Sequence, residues 1–244
     1  MQTITRRLGL RPAMLALAVG LMPLAACADP GGTTSTTSTS HTTATAGDPD
    51  MKDQMATTLE GTSPTIADAL RSDTTTITPV ATAALSDWQV VDVLPRGGAH
   101  PQRWFMGVKD EGREVVVLSG FPQRWAQVAD GARVTSADQA EELAGVYADA
   151  TRDMSRGYAR IESVDDMRFV PSPSQAESDR IDALRRERTE IAAANASGDG
   201  PWTVRLWTVT DGDLVRHDVE VATDGAITDT TQVVEADLPV PQTV

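Results

Sequence analysis

The sequence predicts an α+β domain in which one antiparallel sheet carries two helices on one face, in the chain order β-β-β-α-β-α-β-β-β. Hairpin-type turns occur at Asp110-Glu111-Gly112 and at Asp211-Gly212, each between runs rich in apolar residues. Two helices begin at Ser136 and Ser174, and each serine is followed three residues later by Gln or Glu, as in a capping box. These elements assign residues 86–235 to a single α+β domain.

The first three strands are predicted from apolar runs that end at turn residues. Trp88–Leu94 forms one run, and Pro95-Arg96-Gly97-Gly98 ends it. Arg103–Lys109 and Arg113–Ser119 flank a three-residue loop and form a hairpin. Its register predicts two cross-strand pairs on one face: Trp104 with Leu118 and Met106 with Val116. Both faces of this hairpin carry apolar residues, so we expect it to lie inside the sheet or beneath the preceding segment.

Two helices follow, each predicted from a capped apolar stripe. The first spans Ser136–Met154 and the second Ser174–Asn195. The stripe of the first recurs at three- to four-residue spacing and consists of Ala140, Leu143, Tyr147, Ala150 and Met154. The second stripe is narrow, and its arginines alternate with acidic residues, which indicates a solvated outer face. Between the helices, Tyr158–Val170 is predicted to be a strand interrupted by Asp165-Asp166.

The C-terminal hairpin, Pro201–Val221, has the strongest local pattern. Asp211-Gly212 is a typical two-residue hairpin turn, and it sets the register of the flanking strands. The predicted pairs are Trp202 with Val221, Val204 with Val219, Leu206 with His217, Arg205 with Asp218, and Trp207 with Arg216. One face is therefore apolar, whereas the other carries an ion pair and a cation–π pair. A last strand, Ala226–Val234, and a loose tail, residues 236–244, complete the chain.

The segment ahead of this domain is predicted to be a tether. Residues 27–55 are of low complexity, and between residues 33 and 46 eleven of fourteen are Ser or Thr. Such a segment buries too little apolar surface to offset the entropy lost on ordering. Residues 56–85 are predicted to be a partly ordered linker with a short helix starting at Ser63-Pro64. We therefore expect truncation to about residue 84 to leave a folded domain.

The N-terminus has the three parts of a secretory signal. A basic stretch with Arg6, Arg7 and Arg11 precedes an uncharged apolar run that ends in small residues. Leu24-Ala25-Ala26-Cys27 then resembles the bacterial lipobox. The resemblance implies that residues 1–26 are a cleaved signal peptide and that Cys27 is lipidated. It also implies a lipoprotein anchored in the bacterial cell envelope, on the outer face of the cytoplasmic membrane.

Two alternatives concern processing and export. Ala26-Cys27-Ala28 also fits an Ala-x-Ala cleavage site, and cleavage after Ala28 would release a soluble protein. Thr5-Arg6-Arg7 partly matches a twin-arginine signal. Gly9 stands where that motif has a bulky apolar residue, which favours ordinary secretion.

Charge and cysteine content exclude several classes of function. The net charge of −14 argues against nucleic acid as a partner, because phosphate binding needs a basic surface. Cys27 is the only cysteine, so no intrachain disulfide and, once it is lipidated, no thiol catalysis or cysteine zinc site is expected. The predicted partners are the membrane, through the lipid anchor, and an envelope protein or an apolar ligand.

No known catalytic motif occurs, so we expect no catalytic residue, no cofactor and no metal site. His41 lies in the tether and His100 in a loop, whereas His217 is expected to be buried and hydrogen-bonded. A catalytic triad remains an alternative for His217, because triads are recognised by geometry and not by order. Asp165-Asp166 and Asp211-Gly212-Asp213 lack the spacing of a calcium loop.

Two further clusters are candidate binding features. A basic spot at one sheet edge would gather Arg96, His100, Arg103 and Arg124 and would bind an anion. Four tryptophans are expected in the core or, alternatively, on an exposed surface: Trp104, Trp125, Trp202 and Trp207. The leading hypothesis is a membrane-anchored binding or accessory module. A carrier of an apolar or lipid ligand is the first alternative, and a cell-envelope hydrolase is the second.

Overall fold

Two antiparallel sheets, rather than one, form the framework of this protein. The computed structural model describes residues 49–96 and 102–241, which lie in one compact unit. Its α+β class confirms the class predicted from the sequence. The signal peptide, Cys27, His41, His100 and most of the proposed tether lie outside the described residues.

The helices and strands follow one another along the chain with short connections. The helices are α1 (Pro49–Leu59), α2 (Pro64–Arg71), α3 (Trp125–Val128), α4 (Ala137–Thr151) and α5 (Gln175–Glu187). The strands are β1 (Thr75–Val80), β2 (Gln89–Pro95), β3 (Trp104–Lys109), β4 (Glu114–Val117), β5 (Tyr158–Ile161), β6 (Asn195–Ser197), β7 (Trp202–Thr210), β8 (Asp213–Val221) and β9 (Ile227–Glu235). The predicted order of strands and helices is present from β2 onward, with α3 and β6 as short additions.

The N-terminal layer, which we define as α1, α2 and β1 (residues 49–80), corrects the predicted tether and linker. Both helices pack on one face of the first sheet, whose order is β1-β2-β3-β4. Met55 and Leu70 are 0% exposed. Met51, Met55 and Leu59 recur at four-residue spacing, so the few apolar residues of α1 lie on one face of the helix. The predicted start of a helix at Ser63-Pro64 is confirmed by α2.

The register predicted for the β3–β4 hairpin is wrong by one residue. Met106 pairs with Val117 instead of Val116, because the loop between Lys109 and Glu114 holds four residues. Its first three residues have positive φ angles of 50°, 56° and 93°, at Asp110, Glu111 and Gly112. A shift of one residue exchanges the two faces of a strand, so Val117 lies under the N-terminal layer.

The second sheet has the order β5-β7-β8-β9, with β6 paired to β7. All five cross-strand pairs predicted for β7 and β8 are confirmed, and so is the turn at Asp211-Gly212. Arg205 forms the predicted ion pair with Asp218 at 2.8 Å. The predicted partner of Trp207, Arg216, bonds Asp218 instead, and Trp207 is buried in a core beneath α5.

The two long helices lie on opposite faces of this second sheet, which corrects the prediction that they share one face. Leu206 belongs to the core around α4, which also contains residues of the first sheet such as Val90 and Leu118. Trp207, the next residue, belongs to the core with Leu184 of α5. Since successive side chains of a strand point to opposite faces, β7 is covered on both sides.

Several predicted boundaries were too long. The first long helix ends at Thr151, and α5 ends at Glu187, whereas Ile191 is buried outside the helix. The predicted strand at 158–170 is only four residues long, because the chain turns at Val164–Asp166.

The prediction that the tail is loose is wrong for residues 236–241. Leu238 is buried, its N–H donates to Gly212 O at 2.7 Å, and Pro239 O accepts from Val170 N at 2.9 Å. Residues 236–241 therefore continue the core of the second sheet. Within the described residues, every helix is too short or too polar to cross a membrane.

Candidate functional site

His217 sits in a hydrogen-bonded row that crosses three strands. Its Nδ1 lies 2.8 Å from Asp229 Oδ2 on β9, and its Nε2 lies 3.0 Å from Thr208 Oγ1 on β7. Thr208 Oγ1 also lies 3.3 Å from the hydroxyl of Thr210. A ring that donates to the carboxylate through Nδ1 accepts from the threonine at Nε2 when it is neutral. The predicted hydrogen-bonded histidine is therefore present.

Thr208, His217 and Asp229 follow one another in the order of a nucleophile, a base and an acid, but their burial indicates a structural role. Thr208 is 0% exposed, so a substrate does not reach its hydroxyl. Asp229 Oδ1 is buried without a hydrogen-bond partner, which leaves the carboxylate tied to the histidine alone. The histidine ring is hydrogen-bonded at both nitrogens, whereas the unpaired Oδ1 of Asp229 lowers stability. The row therefore offers no accessible site for a substrate.

A cleft of about 660 Å³ opens where the first sheet, α4 and β5 meet. We call it the Arg152 cleft. Side chains from all three elements line it, and they include Thr78, Val80, Asp92, Arg103, Phe105, Val146, Asp149, Arg152, Tyr158, Arg160, Glu162 and Asp166. Sites in folded proteins are commonly concave, with a few polar groups that converge on an apolar wall. This cleft is concave but more charged than that, with Phe105, Val80 and Val146 as its apolar part.

Most charges of the Arg152 cleft are paired within the protein. Arg103 donates to both oxygens of Asp92, each at 2.8 Å. Arg160 Nη1 lies 3.4 Å from Asp149. Arg160 packs directly against Gly145 of α4, where a Cβ atom would clash with its guanidinium. A glycine inside a helix lowers its stability, and the contact with Arg160 accounts for the glycine at this position.

Tyr158 is the second partner of Asp149. Its hydroxyl donates to Asp149 Oδ1 at 2.8 Å. Burial, and then the negative charge of Asp149, raise the pKa of Tyr158, so the hydroxyl stays protonated and keeps donating. Tyr158 and Arg160 therefore hold Asp149 in place on the wall of the cleft.

Arg152 differs from the other arginines of the cleft. Its guanidinium lies 4.4 Å from the ring centre of Tyr158 and 5.9 Å from that of Phe105. Nε donates to Met154 Sδ at 3.3 Å. Burial lowers the pKa of Arg152, although an arginine remains charged at neutral pH. Among the described residues, no carboxylate lies within 4.0 Å of the Arg152 guanidinium, although the charges of Asp149 and Asp92 act on it from farther away.

The arginines and tryptophans that the sequence offers as binding residues lie apart from one another or are engaged in contacts within the protein. Arg103 lines the cleft, but Arg124 stacks on Phe121 at 4.0 Å and donates to a backbone carbonyl. The predicted basic spot is therefore not assembled from these two residues. Three tryptophans are in the core: Trp125, Trp202 and Trp207. Trp104 is half-buried against the core of the N-terminal layer.

Acidic residues considered for calcium have other roles. Asp166 accepts backbone N–H groups in a capping box, and Asp211 binds Arg156 at 2.5 Å. No group of three or more potential metal ligands occurs in residues 49–96 and 102–241.

The sequence reasoning missed Arg152 and Tyr158. Arg152 directly follows the last residue of α4, and an arginine at that position was the one available signal.

Compared with known proteins, the chain matches no family model, no curated protein and no solved structure.

Proposed function

We propose that this chain is a lipid-anchored binding module that acts outside the cytoplasm and holds its ligand in the Arg152 cleft. The lipobox resemblance of Leu24-Ala25-Ala26-Cys27 supports an anchor on the outer face of the cytoplasmic membrane. The cleft supports a ligand site on the anchored domain. An envelope component within reach of the membrane is the class of partner that both features favour.

The observation that carries the proposal is the unpaired guanidinium of Arg152. A buried or half-buried charge is costly unless it is paired, so an arginine stacked on aromatic rings without a carboxylate favours an anionic ligand. The planar guanidinium offers two parallel donors to a carboxylate or phosphate group. Tyr158 and Phe105 fix its plane and reduce the entropy lost on binding.

The polar lining favours this proposal over the two alternatives. An apolar ligand would cover charged side chains of the cleft without offering them hydrogen bonds, which costs free energy. A hydrolase would need an accessible nucleophile beside His217, and Thr208 is fully buried. Binding of an anionic ligand needs neither an apolar cleft nor a nucleophile.

Anion binding is tested on the full lipoprotein in detergent micelles, with N-acetylalanine as the probe. Calorimetry and the NMR signal of the Arg152 Nε–H group are the two readouts. We expect saturable binding that is lost in Arg152→Gln and kept in Arg186→Gln, a control at an exposed position of α5. Equal binding by both variants, or no binding by the wild type, would contradict the proposal.

The anchor is tested separately by intact mass and detergent phase partitioning of the wild type and Cys27→Ala. We expect the wild type to gain the mass of a diacylglyceryl group and to enter the detergent phase. Release of both proteins after cleavage at Ala28 would disprove the anchor, and the cleft would remain to be tested as a site on a secreted protein.

A further inference from the structure

Once the internal ion pairs of the Arg152 cleft are set aside, one cation and two carboxylates remain: Arg152, Glu162 and Asp166. Asp92 is paired by Arg103, and Asp149 is held by Tyr158 and Arg160. Asp166 accepts the N–H groups of residues 162 and 163 at 2.9 and 2.8 Å. Asp166 is thus held by N–H groups, and within the described part of the chain the carboxylate of Glu162, an exposed residue, has no hydrogen-bond or ion-pair partner.

The acidic end of the cleft continues into a second hollow. This hollow measures about 260 Å³ and also contains Glu141 and Glu142 of α4. The residues shared by both hollows are Val80, Val146, Asp149, Arg160 and Glu162. Glu141 accepts the N–H of Ala196 at 2.7 Å, and Glu142 that of Ala83 at 3.4 Å. The cleft therefore becomes negative in the direction of Glu162, away from Arg152.

The spacing of Tyr158 and Glu162 along the chain suits a short, extended molecule. Arg152 stacks on Tyr158, and Glu162 comes four residues later, just past the end of β5. Four residues of strand span about 13 Å. Both residues line the cleft, and three extended residues, which span about 10 Å, fit within that length.

We infer that the Arg152 cleft binds a short peptide with two free ends, with its carboxylate on Arg152 and its ammonium group at Glu162. The inference rests on the proposed function, which requires only the anionic group. The carboxylate takes the two parallel donors of the guanidinium, and the ammonium group supplies the missing partner of Glu162. Phe105, Val80 and Val146 line the same cleft and offer apolar surface to the side chains of the peptide.

The experiment compares three probes on the full lipoprotein in micelles by calorimetry. They are trialanine, N-acetyltrialanine, which has only the carboxylate, and trialanine amide, which has only the ammonium group. We expect trialanine to bind most tightly. N-acetylation should weaken binding about threefold to fivefold, as for an exposed ion pair, and amidation should weaken it about tenfold or more, as for a bidentate arginine.

Variants assign each end of the peptide to its residue. Glu162→Gln should bind trialanine and N-acetyltrialanine equally, whereas Glu220→Gln, an exposed control on β8, should keep the preference for the free amine. Arg152→Gln should remove the preference for the free acid. These losses of preference are readouts that a general loss of stability does not produce.

The outcomes separate the two proposals. If N-acetyltrialanine binds as tightly as trialanine and both need Arg152, the peptide inference fails while the anion-binding function stands. If neither acid binds the wild-type protein, both proposals fail. If the preference for the free amine survives in Glu162→Gln, the ammonium site lies elsewhere and the inference is overturned.

Discussion

The N-terminal layer and the β7–β8 hairpin carry similar shares of the core, yet only the hairpin was predictable in register. In the hairpin, one two-residue turn and strict alternation give the same answer, and every predicted pair is present. In α1, only Met51, Met55, Ala56 and Leu59 are buried in an otherwise polar helix. A hairpin is thus defined by a local pattern of turn and alternation. The mostly polar helix α1, by contrast, joins the core because the first sheet, which is distant in the chain, presents an apolar face to it.

The largest expected effect is that of removing the N-terminal layer. Truncation to residue 84 exposes Val91, Val93 and Met106, all of which are fully buried in the complete chain. We expect the truncated protein to lose its cooperative thermal transition and to aggregate, because the first sheet loses one of its two covers. A cooperative melt at the wild-type temperature would show that residues 49–80 are a tether after all.

A point substitution in the same layer should have a smaller but still large effect. Met55→Ala removes a side chain that is 0% exposed, so we expect a loss of about 2–5 kcal/mol in the free energy of unfolding. Urea denaturation measures it, with Thr57→Ala on the exposed face of α1 as the control. Equal stability of the two variants would mean that α1 does not pack as described.

Alanine substitutions of two turn glycines compare the contact with α1, at Gly112, with the β7–β8 turn, at Gly212. Gly112 has φ 93° and Gly212 has φ 90°, so alanine is strained at both, by about 1–2 kcal/mol. A Cβ at Gly112 would also lie 2.9 Å from Met51 O and 3.0 Å from the side chain of Met55. We expect Gly112→Ala to lower the unfolding free energy more than Gly212→Ala. The reverse order would show that α1 yields easily at this contact.

The buried polar row provides a test within the second sheet. Thr208→Val keeps the shape of the side chain but removes the hydroxyl that bonds His217 Nε2. We expect a loss of about 1–2 kcal/mol, because the ring nitrogen is left without a partner. Chemical denaturation at neutral pH checks it. If the variant is as stable as the wild type, water replaces the hydroxyl and the row contributes little.

The smallest expected effect is the pH dependence of an ion-pair cluster between α5 and β9. Hydrogen bonds from Arg180, and then from Arg188, hold the pKa of Glu235 below its usual value. Stability from this group is therefore complete above about pH 4.3 and is lost as the pH falls through the lowered pKa. For a partly exposed cluster we expect less than about 1 kcal/mol.

The measurement is the unfolding free energy of wild type and Glu235→Gln between pH 7 and pH 3. The wild-type advantage should shrink on acidification, because the protonated carboxyl no longer pairs with Arg180. An advantage that stays constant across this range would rule out the pairing as its source.

Most of the candidate site could not have been predicted from the sequence. Arg103 is far along the chain from Arg152 and Glu162, and nothing in the spacing of the three residues indicates that one cleft collects them. In this cleft Asp149 pairs with Arg160, which packs against Gly145, and not with Arg152. Both are consequences of how α4 packs between the two sheets.

The sequence by itself determined the α+β class, the starts of the two capped helices and the register around Asp211-Gly212. These features depend on residues close in the chain, where turn chemistry, capping and alternation act together. The tertiary structure decided the number of sheets, the face that each helix covers, the role of residues 49–80 and the assembly of the Arg152 cleft. Those features depend on apolar burial and charge pairing between distant segments, which no local pattern encodes.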